Sequence, residues 1–140
     1  MYSSNSLFKT KISAHFVDAF VAEGEVTSVE GWLTFYDEKE KSWKPLDGEL
    51  KFYLDGREIG RASSKTGQFK FSFLSPSIGK HRLDIKFKEK GYEPSYKSLE
   101  FEVVKIEKKF KIVKFTKIVF ILLLLICAAF FISVFLLKRL

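Results

Sequence analysis

The stretch ELKFYLDG, Glu49 to Gly56, decides the fold class. Leu50, Phe52 and Leu54 alternate with Lys51, Tyr53 and Asp55. A period of two puts one set of side chains on a buried face and the other in water, which is the pattern of a half-buried strand. The run ends at Asp55-Gly56, and a second strand-like run, REIG, follows. An Asp-Gly pair between two such runs signals a two-residue hairpin, because both turn positions need φ above zero.

The same alternation recurs along the chain. QFKFSFL sets Phe69, Phe71 and Phe73 against Lys70 and Ser72. HRLDIKFK sets Leu83, Ile85 and Phe87 against Asp84, Lys86 and Lys88, and KSLEFEVV sets Leu99, Phe101 and Val103 against Glu100 and Glu102. GEVTSVEGWLTFYD carries Val26, Val29, Trp32, Leu33 and Phe35, with Trp32 read as core. Tight connections are expected at SSKTG, SPSIG and EKGYEPS, and KSWKPLDG reads as the end of a longer loop. Turn signals every eight to twelve residues or so predict about seven short antiparallel strands in an all-β sandwich over residues 12–104. The Phe-rich inner sides suit a core between two stacked sheets. Residues 1–11 are polar, read as a loose end, and lack the apolar centre of a signal peptide.

The chain has 140 residues and a net charge of +7. Residues 1–104 contain 16 Lys plus Arg and 16 Asp plus Glu, so the whole excess lies in residues 105–140. A nucleic-acid module concentrates basic groups on its own surface. A neutral folded part excludes that class, and no nucleic-acid partner is expected.

Ile118 to Leu137 is 20 residues without a charge. As a helix it spans about 30 Å, the thickness of a bilayer core. Its collar is Lys105, Lys108, Lys109, Lys111, Lys114 and Lys117 on one side and Lys138 and Arg139 on the other. Residues 105–117 read as a basic juxtamembrane linker whose lysines scatter around a helical wheel and snorkel to the interface. Helix character begins at about Phe110, and 138–140 is a basic tail. Six basic residues against two favour a cytoplasmic domain on the positive-inside rule. The reading is then of a tail-anchored protein.

Catalytic chemistry needs a constellation. His15 and His81 are the only histidines, and a hydrolase or metal role requires them to meet carboxylates in a pocket. Asp37, Glu38 and Glu40 supply oxygen ligands of the kind calcium takes, but Lys39, Lys41 and Lys44 interleave them. Serines 63, 64, 72, 75 and 77 follow turn chemistry and fit no nucleophile elbow. The one cysteine, Cys127, lies in the apolar span, so no internal disulfide forms. One Asn, one Gln and many charges resemble a thermophile composition. No cofactor, metal or enzymatic activity is expected. Tyr36, Trp43 and Tyr92 are the candidate contact residues, with Trp43 placed in a polar loop.

Gly31, Pro45-Leu46-x-Gly48, TGQFKF from Thr66, Gly79-Lys80-His81-Arg82-Leu83 and Gly91-Tyr92 follow a familiar order. Over residues 24–104 the chain resembles the immunoglobulin-like, prealbumin-like repeats of carboxypeptidase regulatory type found in bacterial and archaeal envelope proteins. FYLDGREIG is similar to a hairpin of the archaeal versions. SKTG is one residue shorter than the repeat pattern and lacks its acidic or Asn residue. The resemblance implies a seven-stranded sandwich of structural or adhesive role on the outer side of the membrane, without catalytic residues.

Taken together, these features predict a single-pass, membrane-anchored, non-enzymatic accessory module. Its partners are the bilayer and a membrane protein or a second copy of the chain. The alternative is an envelope-side module that binds glycans or a surface layer through the Trp43 loop.

Overall fold

A computed structural model describes residues 6–140 and divides into two compact units, Met1–Val104 and Lys105–Leu140. Among the described residues the first unit holds nine strands in two sheets. They are β1 (Thr10–Phe16), β2 (Val21–Ala22), β3 (Val26–Asp37), β4 (Ser42–Pro45), β5 (Glu49–Leu54), β6 (Arg57–Ser63), β7 (Gln68–Leu74), β8 (Gly79–Phe87) and β9 (Ser95–Val104). In the four-stranded sheet, β3 pairs with β1 along one edge and with β7 and then β4 along the other. The five-stranded sheet has the order β2-β9-β8-β5-β6. All pairings are antiparallel except the two-residue pairing of β2 with β9.

The expected count of seven strands is corrected to nine. The two additions are β2 and β4, too short to show an alternation of their own. β4 exists because its backbone completes the far end of β3, where Tyr36 faces Trp43 and Thr34 faces Pro45.

The hairpin forms as the sequence predicts. Asp55 and Gly56 sit at φ 48° and 86°, and β5 turns directly into β6. Thr66-Gly67 repeats the geometry at φ 53° and 79°, with Lys65 and Gln68 exchanging both backbone hydrogen bonds. This second turn is tied to the PLDG segment: Asp47 Oδ1 accepts from the Gly67 N–H at 3.1 Å. Ser64 is buried there, donating to the Leu46 carbonyl at 2.7 Å and accepting from the Gly48 N–H at 2.9 Å. Its hydroxyl satisfies backbone groups that the sheets leave unpaired.

The core lies between the sheets. Ile12, Val29, Leu33, Phe69 and Phe73 come from one, and Leu50, Phe52, Leu83, Ile85 and Phe87 from the other. Phe52 stacks on Phe71 at 4.1 Å. Each large apolar side chain removed from water contributes about 2–3 kcal/mol. β3 needs a glycine at its inward position 31, where a Cβ would strike the Ser13 carbonyl oxygen and come within 2.9 Å of the Phe69 ring.

Order begins earlier than residue 12. β1 starts at Thr10, and Phe8 accepts from the Glu93 N–H while packing on Phe35 and Tyr92. The loose end expected through Lys11 is therefore corrected for residues 8–11, and its first five residues lie outside the described ones.

The second unit is one helix, α1 (Ile106–Arg139), with Lys105 at its N-cap. The linker expected over 105–117 is helical from Ile106 onward, so the lysine run and the apolar run share one continuous element. Lysine is a fair helix former, and neither glycine nor proline interrupts the segment. At 1.5 Å per residue its 34 residues extend about 50 Å. None is buried. Thr116 and Ser133 donate to the carbonyls of Ile112 and Ala129 one turn back, which satisfies both hydroxyls within the helix. The helix is long and apolar enough to cross a membrane.

Candidate functional site

The strand registers create two outward faces, and the one on the four-stranded sheet carries two exposed tryptophans, Trp32 and Trp43. Period two sends Val29, Gly31 and Leu33 of β3 inward and Glu30, Trp32 and Tyr36 outward. Trp32, read from sequence as core, is 44% exposed. Gly31 has taken the inward place beside it. The next position along this face, toward β4, holds Thr34 opposite Pro45, and beyond it Tyr36 lies opposite Trp43, their rings 5.3 Å apart.

Trp43 is 48% exposed, but on a strand and not in the loop expected for it. Tyr36 and Trp43 are thus brought together. Tyr92 is elsewhere: its ring packs on Phe8, Phe35 and Phe87 at the margin of the core. It is partly buried there and lies apart from the Tyr36–Trp43 pair.

Around Trp32 the same face is polar. β1, β3 and β7 align His15, Glu30 and Lys70 in one row and Ser13, Trp32 and Gln68 in the next. Lys65, from the Thr66-Gly67 turn, and Ser63 complete an open cleft of about 440 Å³. His15 Nε2 lies 3.2 Å from Glu30 Oε1. Sequence reasoning missed Trp32 here because Gly31-Trp32-Leu33 breaks the alternation that shows which side faces in.

The second histidine also meets a carboxylate. His81 Nδ1 donates to Asp55 Oδ2 and Nε2 donates to the Ser77 carbonyl, both at 2.6 Å. The bond to Asp55 raises the pKa of His81 above its ordinary value against the opposing effect of burial. The bond from His81, with help from the Arg82 N–H, lowers the pKa of Asp55. This is the histidine–carboxylate pair that a hydrolase would need. Yet both ring nitrogens face acceptors, so the imidazolium is the form that satisfies both, and that form has no lone pair to take a proton from a substrate.

The acidic loop binds its own lysine. Lys44 Nζ lies 2.8 Å from Asp37 and 2.7 Å from Glu40. Its hydrogen bond to Asp37 lowers the pKa of that carboxyl and raises that of the amine. The ammonium is thus paired with both carboxylates at once. Among the described residues no group of three or more His, Cys, Asp or Glu side chains forms a metal site.

On the opposite sheet Asp84, expected on the wet face, has a side chain only 6% exposed. It accepts from Ser98 at 2.8 Å, Tyr96 at 3.0 Å and Arg82 Nε at 3.2 Å. Burial of this carboxylate is matched by three donors, as charged groups in low dielectric require.

The collar lysines 108, 109, 111, 114 and 117 lie along α1, with Lys105 at its start and Lys138 and Arg139 in its last turn. Cations at a helix C-terminus are favoured by its dipole.

No family model matches the chain. Among solved structures it is similar to the CARDB domain of a Pyrococcus furiosus protein, described as being in complex with di-metal ions. The TM-score is 0.51 at 12% identity, over 74% of this chain and 99% of that one. At this identity the likeness concerns the fold alone. An Archaeoglobus fulgidus protein described as "Uncharacterized protein" is 47% identical over 139 residues, 96% of either chain. At that identity over nearly the full length, the chain belongs to one family with the Archaeoglobus fulgidus protein.

Proposed function

We propose that this chain is a single-pass, membrane-anchored, non-enzymatic binding module. An immunoglobulin-like sandwich engages a membrane protein or an assembly on the same surface. The observation that carries the reading is α1: 34 residues with no buried side chain and a charge-free stretch from Ile118 to Leu137. A helix apolar on all sides has no stable place in water. The order of the PLDG, TG and Gly-Tyr motifs supports the prealbumin-like relation, and saturation of both His81 nitrogens supports a non-enzymatic role.

The anchor is tested by membrane fractionation. The full chain should resist alkaline carbonate and dissolve only in detergent, whereas a chain ending at Val104 should appear in the soluble fraction. A full chain released by carbonate overturns the reading. Co-purification in mild detergent tests the accessory role, with Trp43→Ala expected to lose the partner.

The exposed Trp32 and Trp43, with the partly exposed Tyr36 beside Trp43, favour a second reading, an envelope-side module that binds glycans. The two readings differ in side. The six-to-two asymmetry of basic residues goes with a cytoplasmic domain and a protein partner, and the glycan reading requires the domain outside. Protease added to intact spheroplasts separates them, since cleavage of the domain sinks the cytoplasmic form.

A further inference from the structure

We propose that the cleft around Trp32 is a binding site for an acidic saccharide. The inference rests on the reading of the sandwich as a membrane-anchored binding module, taken in its glycan form. Trp32 lines the cleft with nearly half of its surface exposed. An exposed indole face is a large apolar plane, suited to a ligand that is apolar on one side and polar at its rim. A sugar ring has this character, with C–H bonds on its faces and hydroxyls around its edge.

The side chains flanking the indole match that edge. Glu30 only accepts hydrogen bonds, Gln68 both donates and accepts, and Lys65 and Lys70 only donate. A hydroxyl both donates and accepts, so it satisfies every one of these groups. A phosphodiester backbone only accepts and so offers Glu30 no donor, which disfavours a nucleic acid. Two ammonium groups face one carboxylate, and that carboxylate already has His15 at 3.2 Å. The surplus positive charge selects a sugar bearing a carboxylate, held by charge-assisted hydrogen bonds.

The volume of about 440 Å³ is in the range of small-ligand sites. The face also continues beyond the cleft. Tyr36, paired with Trp43, is four residues along β3 from Trp32, about 13 Å at strand rise. A second aromatic contact at that distance suits an oligosaccharide better than a single sugar.

The test is titration of the full chain in detergent micelles, followed by tryptophan fluorescence and calorimetry. The probes are an oligogalacturonate, a neutral malto-oligosaccharide of equal length and an oligothymidylate. The oligogalacturonate should bind roughly tenfold or more tighter than either of the others. Trp32→Ala should weaken it roughly tenfold or more, and Trp32→Phe should restore part of the loss. Lys65→Ala with Lys70→Ala should reduce the acidic probe to the level of the neutral one and remove its salt dependence.

Absence of oligogalacturonate binding overturns the inference. So does equal binding of the neutral sugar, equal or tighter binding of the oligothymidylate, or an unchanged affinity in Trp32→Ala. All three substituted side chains, Trp32, Lys65 and Lys70, are solvent-accessible, and unchanged thermal melts of the variants show that any loss is local. The same preparations pass through the carbonate wash. Retention without saccharide binding overturns this inference alone, and release from the membrane overturns the anchored-module reading.

Discussion

Asp55, at the tip of the β5–β6 hairpin, holds His81 of β8 through a 2.6 Å hydrogen bond, and its other oxygen accepts from the Arg82 N–H at 2.9 Å. One residue therefore takes the turn's φ of 48° with its backbone and fastens the turn to a neighbouring strand with its side chain. The histidine is fully satisfied only as imidazolium, because both of its nitrogens face acceptors.

That clasp makes stability depend on pH. The pKa of His81 is raised above 6.5, so its contribution is complete below 6.5 and is lost as pH rises through the folded value. The pKa of Asp55 is lowered below 3.8, so its contribution is complete above 3.8 and is lost as pH falls through the folded value. The pair stabilises most between those two ordinary values. The effect is about 1 kcal/mol or less, since Asp55 is half exposed and solvent screens it. Thermal melts should show a midpoint that declines above pH 6.5, and His81→Gln should flatten the decline. A wild-type midpoint constant from pH 6 to 9 contradicts the clasp.

Gly31→Ala should be among the most damaging single changes in the sandwich. Its Cβ meets backbone, the Ser13 carbonyl oxygen and Ala14 Cα at 2.8 Å, and backbone in a paired strand does not yield. A loss of about 3 kcal/mol or more is expected, in the range of severe steric substitutions. Gly24→Ala is the control. Its added methyl meets nothing within 4 Å, and the φ of 74° alone costs about 1 kcal/mol. Chemical denaturation of both variants checks the order, and equal losses would refute it.

Asp84→Ala should cost about 1–3 kcal/mol, because it leaves Ser98, Tyr96 and Arg82 without their shared acceptor. Asp84→Asn keeps an acceptor oxygen and should lose less. If alanine proves no worse than asparagine, the carboxylate is not the centre of that network.

The anchor tolerates one charge and not three. Sixteen of the 20 residues from Ile118 to Leu137 are Leu, Ile, Phe or Val. At about −0.3 to −0.6 kcal/mol each, they favour insertion by roughly 5–10 kcal/mol, against roughly 3 for one central Lys. Ile126→Lys alone should therefore stay membrane-bound through a carbonate wash. Leu122→Lys, Ile126→Lys and Phe130→Lys together should not. Loss of the single variant would show that a different force holds the chain.

The hairpin, the Phe-rich alternating strands and the apolar span were legible because each is a local property. An Asp-Gly pair states its own φ preference, and 20 uncharged residues state their own length. The site was less legible. Trp32 is flanked by Gly31 and Leu33, and nothing in those three letters tells which side faces the core. The Trp43 strand is too short to announce itself and exists only as a complement to β3.

By itself the sequence determined two layers of antiparallel strands, most of their inner faces, and a helix suited to a bilayer. These follow from backbone preference and from the side-chain periods that water enforces. The tertiary structure alone decided that Gly31 faces in and Trp32 out, since Ser13 and Phe69 leave no room for a side chain at 31. It also decided that Asp84 is buried and that His81 meets Asp55 across 26 residues of chain. Those outcomes depend on which strands become neighbours, and a register between distant segments is written in no single stretch of the chain.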